Sequence, residues 1–115
     1  MARLQAGLWV AAYLRRVGQS GAFAAVVRRG DETAGAIFIK INTLGGDVLL
    51  MAPALPSLDD VEPKRQWELR QRAAAEAEID EYLRREVERD PDLWVIEIED
   101  RAGFDHLLES ERSHG

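Results

Sequence analysis

Apolar residues recur along this chain in two rhythms. Between Leu8 and Val17 they return every four positions: Trp9, Tyr13 and Val17 form one row, Val10 and Leu14 a second. That spacing predicts a helix over 8–17. Arg15 and Arg16 close it where cations suit the helix dipole, and Gly18 stops it. A strand through Leu8–Ala12 is the competing reading. Phe23 to Arg28, rich in Val and Ala, reads as a buried strand. Arg29 to Gly35 then reads as a connecting loop with Asp31 as a capping residue. From Ala36 to Ile41 the rhythm is two: Ile37, Ile39 and Ile41 take one face of a strand, Phe38 and Lys40 the other. Leu44-Gly45-Gly46-Asp47 is a tight turn whose glycines allow positive φ. Val48 to Ala52 is the returning strand, ended by the stretch Pro53 to Pro56.

The second half changes character. Asp59, Asp60 and Glu62 before Pro63 predict a helix start. The helix is expected from about residue 63 to 88, with an apolar stripe of Trp67, Ala74, Ala75, Ile79, Tyr82, Leu83 and Val87. Glu68–Arg72, Asp80–Arg84 and Glu81–Arg85 are acid-before-base pairs at helical spacing. Asp90-Pro91-Asp92 ends it. Leu93 to Glu99 is a last strand, with Trp94, Ile96 and Ile98 inward and Glu97 and Glu99 outward. The expected fold is α+β, ordered α-β-β-β-α-β: a mostly antiparallel four-stranded sheet with helices packed on one face. Residues 1–108 form one domain, and 109–115 a polar flexible tail. A helix of that length would run roughly 39 Å, longer than a domain with a radius of gyration near ~13 Å accommodates. This suggests packing against a second copy, hence a homodimer, with Trp67 partly exposed at the interface.

Composition narrows the chemistry. The 115 residues are 46% apolar, which supports a packed core. With no cysteine, disulfides, thiolate metal sites and a cysteine nucleophile are out of reach. No signal peptide is visible, and Leu4 to Leu14 is too short to span a membrane. The expectation is a cytoplasmic protein with no membrane partner. The net charge of −6 is uneven: residues 1–56 carry +3 and residues 57–115 carry −9. An acidic chain is a poor nucleic-acid binder, although its basic first half keeps a local anion site open.

The block Arg28-Arg29-Gly30, followed by the strand that carries Lys40, is the candidate anion-binding site, for backbone N–H groups and cations could face an anion there. The competing reading is a turn, with glycine and Asp31 in ordinary turn roles. No Walker or dinucleotide fingerprint is present. Glu97, Glu99 and Asp100 read as a solvated strand face in preference to a metal site. His106 and His114 lack ligand-spaced partners, and a triad would need His106 to meet a serine such as Ser20 and an Asp, with no nucleophile-elbow context. Trp9, Trp67 and Trp94 are expected in the core. No catalytic residue, metal or cofactor is assigned.

Three separated blocks carry a resemblance. They are Gly7-Leu8-Trp9-Val10 with Tyr13-Leu14-Arg15-Arg16; Arg28-Arg29-Gly30-Asp31 with Ala34-Gly35-Ala36-Ile37-Phe38-Ile39-Lys40; and Asp90-Pro91-Asp92-Leu93-Trp94-Val95 with Glu97-Ile98-Glu99-Asp100. Together they resemble an alphaproteobacterial family known as domain of unknown function 1491. The resemblance covers nearly the whole chain apart from the tail. It implies a small bacterial cytoplasmic protein and brings no activity or site residues with it. The sequence therefore points to a non-enzymatic interaction or ligand-binding protein. The alternatives are an enzyme acting on an anionic, phosphorylated small molecule, and a binder of structured RNA.

Overall fold

A computed structural model describes residues 4–55 and 64–113. The expected helix-start residues Asp59, Asp60, Glu62 and Pro63 lie outside the described residues, as does His114. The elements are α1 (Ala6–Gln19), β1 (Phe23–Arg28), β2 (Ile37–Asn42), β3 (Val48–Pro53), β4 (Trp67–Ala73), α2 (Glu76–Arg89) and β5 (Trp94–Glu99), followed by a 3-10 turn over Glu109–Glu111. Among the described residues the strands form one five-stranded sheet in the order β1-β5-β2-β3-β4. All neighbours are antiparallel except β2 and β5, which run parallel.

The fold is α+β, as its pattern predicts, but the sheet is mixed and has five strands instead of four. The extra strand is β4, cut from the front of the expected 63–88 helix. The reason is a bulge: Leu50 pairs with Gln71 and Met51 with Leu69, leaving Arg70 unpaired in the ladder. The inserted residue flips the alternation. Trp67 joins the core on one side of the sheet and Ala73 the core on the other, so no clean period of two survives. The Glu68–Arg72 spacing then imitates a helix. Helix α2 begins only at Glu76, after Ala75 in extended conformation. Its 14 residues span about 21 Å at the usual rise, well inside extents of 41 × 33 × 27 Å. The length argument for a second copy therefore falls away.

The helices lie on opposite faces, another departure from expectation. On one side α1 presents Trp9, Val10, Tyr13 and Val17 to Ile37, Ile39, Ile41, Ile96 and Ile98. On the other side Ile79 and Leu83 of α2 cover Phe38, Leu50, Ala52 and Val95. Both faces of β2 are apolar enough to be covered, and parallel neighbours in a sheet are commonly buried on both sides.

All three tryptophans are core residues, and each indole N–H has an acceptor, as buried tryptophans require. Trp94 donates to Asp31 O at 2.8 Å, Trp9 to Glu111 Oε2 at 2.8 Å, and Trp67 to Ile37 O at 2.8 Å. The sequence predicts Trp67 to be a core residue partly exposed at an interface. It is only 3% exposed and stacks on Trp9 with centroids 4.3 Å apart. A strand residue at that position points into the sheet's core, whereas a helix residue would sit at the rim. Trp67→Ala is expected to destabilise the fold by about 3–5 kcal/mol, measured by urea unfolding.

Candidate functional site

Three places concentrate chemistry. The first is the block from Arg28 to Lys40. Asp31 folds the loop by accepting N–H bonds from Thr33 and Ala34 at 3.1 and 2.9 Å. Gly30 and Gly35 are needed for close approach: a Cβ on Gly30 would lie 2.3 Å from Asp92 O, and one on Gly35 2.5 Å from the same atom. The glycines thus let the loop lie against the entry to β5, where Asp31 N–H donates to Asp92 O at 2.8 Å. Arg29 is ion-paired to Glu32 and lies 5.2 Å over the Trp94 ring. Arg28 donates to Pro91 O at 2.7 Å, and its Nε is buried without a hydrogen-bond partner.

Lys40 does not join them. It sits under α2 with its ammonium 2.5 Å from Glu76, 2.7 Å from Asp80 and 3.4 Å from Glu97. Burial favours the neutral amine, but Asp80, Glu76 and Glu97 outweigh it and hold the pKa above the ordinary lysine value. The ladder sets Arg28 level with Val95, and Val95 level with Phe38, two residues short of Lys40 on β2. No hydrogen bond or ion pair links Lys40 to either arginine. The cations expected to converge are held apart by β5 and by acids already in place. A hollow of about 220 Å3, lined by Ala34, Ile37, Pro53, Lys64, Gln66 and Asp90 among others, opens beside the loop but includes none of the three cations. It is smaller than the ~300–1,000 Å3 of usual ligand pockets.

The second place is the C-terminal segment after β5. It was expected as a polar tail from residue 109, yet residues 109–113 are docked. Glu111 accepts from Trp9 Nε1 and from Arg16 Nη1, both at 2.8 Å. Tyr13 Oη donates to Asp105 O at 2.6 Å, and Arg112 Nη1 lies 2.6 Å from Asp105 Oδ2. Ser113 N–H donates to Trp67 O at 2.9 Å. Burial and then the Asp105 carboxylate push the Tyr13 phenol well above its ordinary value. Burial raises the Glu111 pKa, but Arg16, the Leu108 N–H and Trp9 prevail and hold it below the usual carboxylate range.

The same segment brings together Ser20, His106 and Asp100, which the sequence gives no reason to pair. His106 Nε2 lies 2.7 Å from Asp100 Oδ2, and Nδ1 lies 3.4 Å from Ser20 Oγ. The chemistry does not follow the residue types. The Ser20 hydroxyl donates to Val17 O at 2.6 Å, at the end of α1, so its hydrogen is aimed away from the imidazole. His106 itself is buried. It takes a left-handed φ of 60°, strain that the surrounding clasp must hold. For Asp100, burial is outweighed by the bonds from His106, Phe104 N–H and Ala102 N–H, and its pKa is lowered. The group is a fastening between α1 and the sheet. Among the described residues, no group of three or more metal-ligating side chains is arranged to hold a metal ion.

The third place is the outer edge of β1. Among the described residues this strand pairs only with β5 in the sheet order, and Phe23, Val26 and Val27 are 59%, 36% and 61% exposed. No residue from Phe23 to Val27 is charged. The apolar run predicts a buried strand, because a string of Ala and Val does not reveal whether a second neighbour exists.

The comparisons bear on all three places. The model of a family described as "Protein of unknown function (DUF1491)" matches residues 4–109. The chain belongs to the DUF1491 family. A crystal structure of a DUF1491 family protein from Caulobacter crescentus CB15 shares 37% identity over 96% of this chain and 97% of that one, with a TM-score of 0.78. An NMR structure of a DUF1491 family protein from the same organism shares 40% over 96% of each chain, with a TM-score of 0.79. The solution structure of protein Atu0922 from A. tumefaciens shares 42% over 84% of this chain and 86% of that one, with a TM-score of 0.75. No match is found among curated proteins. The family assigns no activity to any of the three places. Among the described residues, no helix is long and apolar enough to cross a membrane.

Two expectations follow. Gly30→Ala drives a Cβ into the backbone of Asp92 and should cost about 1–3 kcal/mol, as overpacking does; thermal and urea unfolding would report it. Glu111 has a depressed folded pKa, so its stabilisation is complete above the unfolded value of about 4.3 and is lost as pH falls through the folded one. Glu111→Gln should lower stability at neutral pH and flatten the loss below about pH 4, as measured by urea midpoints across a pH series.

Proposed function

We propose that this DUF1491 chain is a non-enzymatic protein-interaction module that takes up an extended strand along the open edge of β1. The observation that carries this reading is the contrast between the two edges of the sheet. β4 is guarded: Glu68, Arg70 and Arg72 are exposed along it, a bulge interrupts it at Arg70, and Trp67 at its start bridges to Arg112. Charges, bulges and covering segments are the devices that keep an edge from pairing with another chain. Among the described residues β1 has none of them before the bulge at Val27, and it exposes an aromatic and two β-branched residues. Such an edge offers main-chain hydrogen bonds for affinity and alternate side-chain positions for selectivity.

The anion-site reading draws no support from Lys40, whose ammonium is already met by three carboxylates. A cytoplasmic setting belongs to the same proposal and rests on the sequence alone. The test is NMR titration of the labelled protein with uncharged, seven-residue β-forming peptides. Amide shifts concentrated on 22–28 are expected. Shifts that fall on β4 instead, or none at all, would overturn the reading.

A further inference from the structure

The occupant of the β1 edge can be named from the strand's own layout. We propose that β1 pairs antiparallel with β1 of a second copy, joining two sheets edge to edge about a two-fold axis at Ala25. This rests on the reading of β1 as a docking edge and adds the identity of the partner.

The register follows from which face each residue takes. Ala24 lies opposite Ile98 and Val26 opposite Ile96, both on the α1 side; Phe23 lies opposite Glu99 and Ala25 opposite Glu97, on the other side. Directly opposed residues in an antiparallel pair share a face. A two-fold at Ala25 obeys this rule, setting Ala24 against Val26 of the second copy and Ala25 against its own counterpart. A shift of one residue would oppose residues from different faces. Because Val27 is the bulged residue, the two-fold at Ala25 brings Phe23 level with Arg28 of the second copy, next to its Val27, twice. Phe23 and Val27 are the most exposed apolar residues of the strand, and bringing them together takes apolar surface out of water.

Charge makes the same match. Glu99, beside Phe23, has no ion pair among the described residues. Arg28, at the other end of β1, has no carboxylate partner among the described residues, and its Nε lacks a hydrogen bond. Both lie on the face away from α1, since Arg28 is level with Val95 and Phe23 with Glu99. Antiparallel pairing places Arg28 of one copy near Glu99 of the other. The offset is two strand spacings, on the order of 10 Å between Cα atoms, which the two side chains together span. Parallel pairing would set base beside base. The acid and base left over at the two ends of one edge therefore complement a second copy turned by half a rotation, the arrangement that a closed two-fold interface requires.

A single strand pair buries less than about 1,200 Å2, the range of weak associations, so the dimer should be concentration-dependent. The chain has no cysteine, which allows a clean reporter. Ala25→Cys, treated with a short bismaleimide, should yield a covalent dimer, while Leu69→Cys on the β4 edge should not. Sedimentation of the unmodified protein should show a monomer–dimer equilibrium. Val27→Lys, at an exposed position that the fold does not use, should weaken it at least tenfold. A charge reversal, Glu99→Arg, should weaken it as well, and pairing it with Arg28→Glu should restore association. A monomer at every concentration, cross-linking of Leu69→Cys as fast as Ala25→Cys, or a dimer indifferent to Val27→Lys would each overturn the proposal. A monomer that still places β-forming peptides on 22–28 would refute self-pairing while leaving strand docking in force.

Discussion

The structure turns on the parallel contact between β2 and β5. Six residues of each strand pair in register, from Ile37 with Trp94 to Asn42 with Glu99. Parallel neighbours cannot be joined by a hairpin and need a long crossover. Here the crossover supplies β3, β4 and α2, and carries the chain from one side of the sheet to the other. The contact also places Ile37, Ile39 and Ile41 beside Ile96 and Ile98 under α1, and Phe38 beside Val95 under α2. Both cores are built on the same two strands, so neither helix has a place to pack until this pairing exists.

Lys40 is the polar counterpart of that contact. An unpaired ammonium at its position would carry a heavy desolvation penalty. The pairing with β5 brings Glu97, and the packing of α2 brings Glu76 and Asp80. The side chain thus needs the correct strand neighbour and the correct helix placement at once. Its role is to fix the position of α2 over the sheet. This explains how a short helix with only Ile79 and Leu83 fully buried keeps a defined seat.

Much of the fold could be read from local pattern. The Ile37–Ile41 alternation, the Leu44–Asp47 turn, the return through Val48 and the Trp94–Ile98 alternation all stand where their periodicity puts them, and α1 keeps the Trp9–Tyr13–Val17 row. Each of these depends on residues within a few positions of one another. What could not be read depends on distant residues. The bulge at Arg70 erases the period of β4, and only the register against β3 reveals it. The face taken by α2 depends on the crossover. Trp67 looked like a rim residue because its element was misassigned. Of the candidate site, Gly30 and Asp31 stand in turn roles that the sequence already offered as an alternative, whereas the carboxylates around Lys40 come from two other elements. The meeting of Ser20 with His106 and Asp100 has little signal, since Asp100 and His106 are six residues apart but Ser20 comes from the end of α1.

The fastening of Trp9 and Arg16 to Glu111 has a consequence for how the protein is made. These bonds join residues 102 and 95 positions apart, and such non-local closures are slow to form. Helix α1 leaves the ribosome well before the acceptor for its tryptophan, which follows it by about a hundred residues. During synthesis the apolar side of α1 must wait with its sheet incomplete and its clasp missing, the condition under which nascent chains are most exposed to misassembly. The segment around Glu111 acts as a late closing step of folding, and the native state of α1 is settled only once that segment has been made.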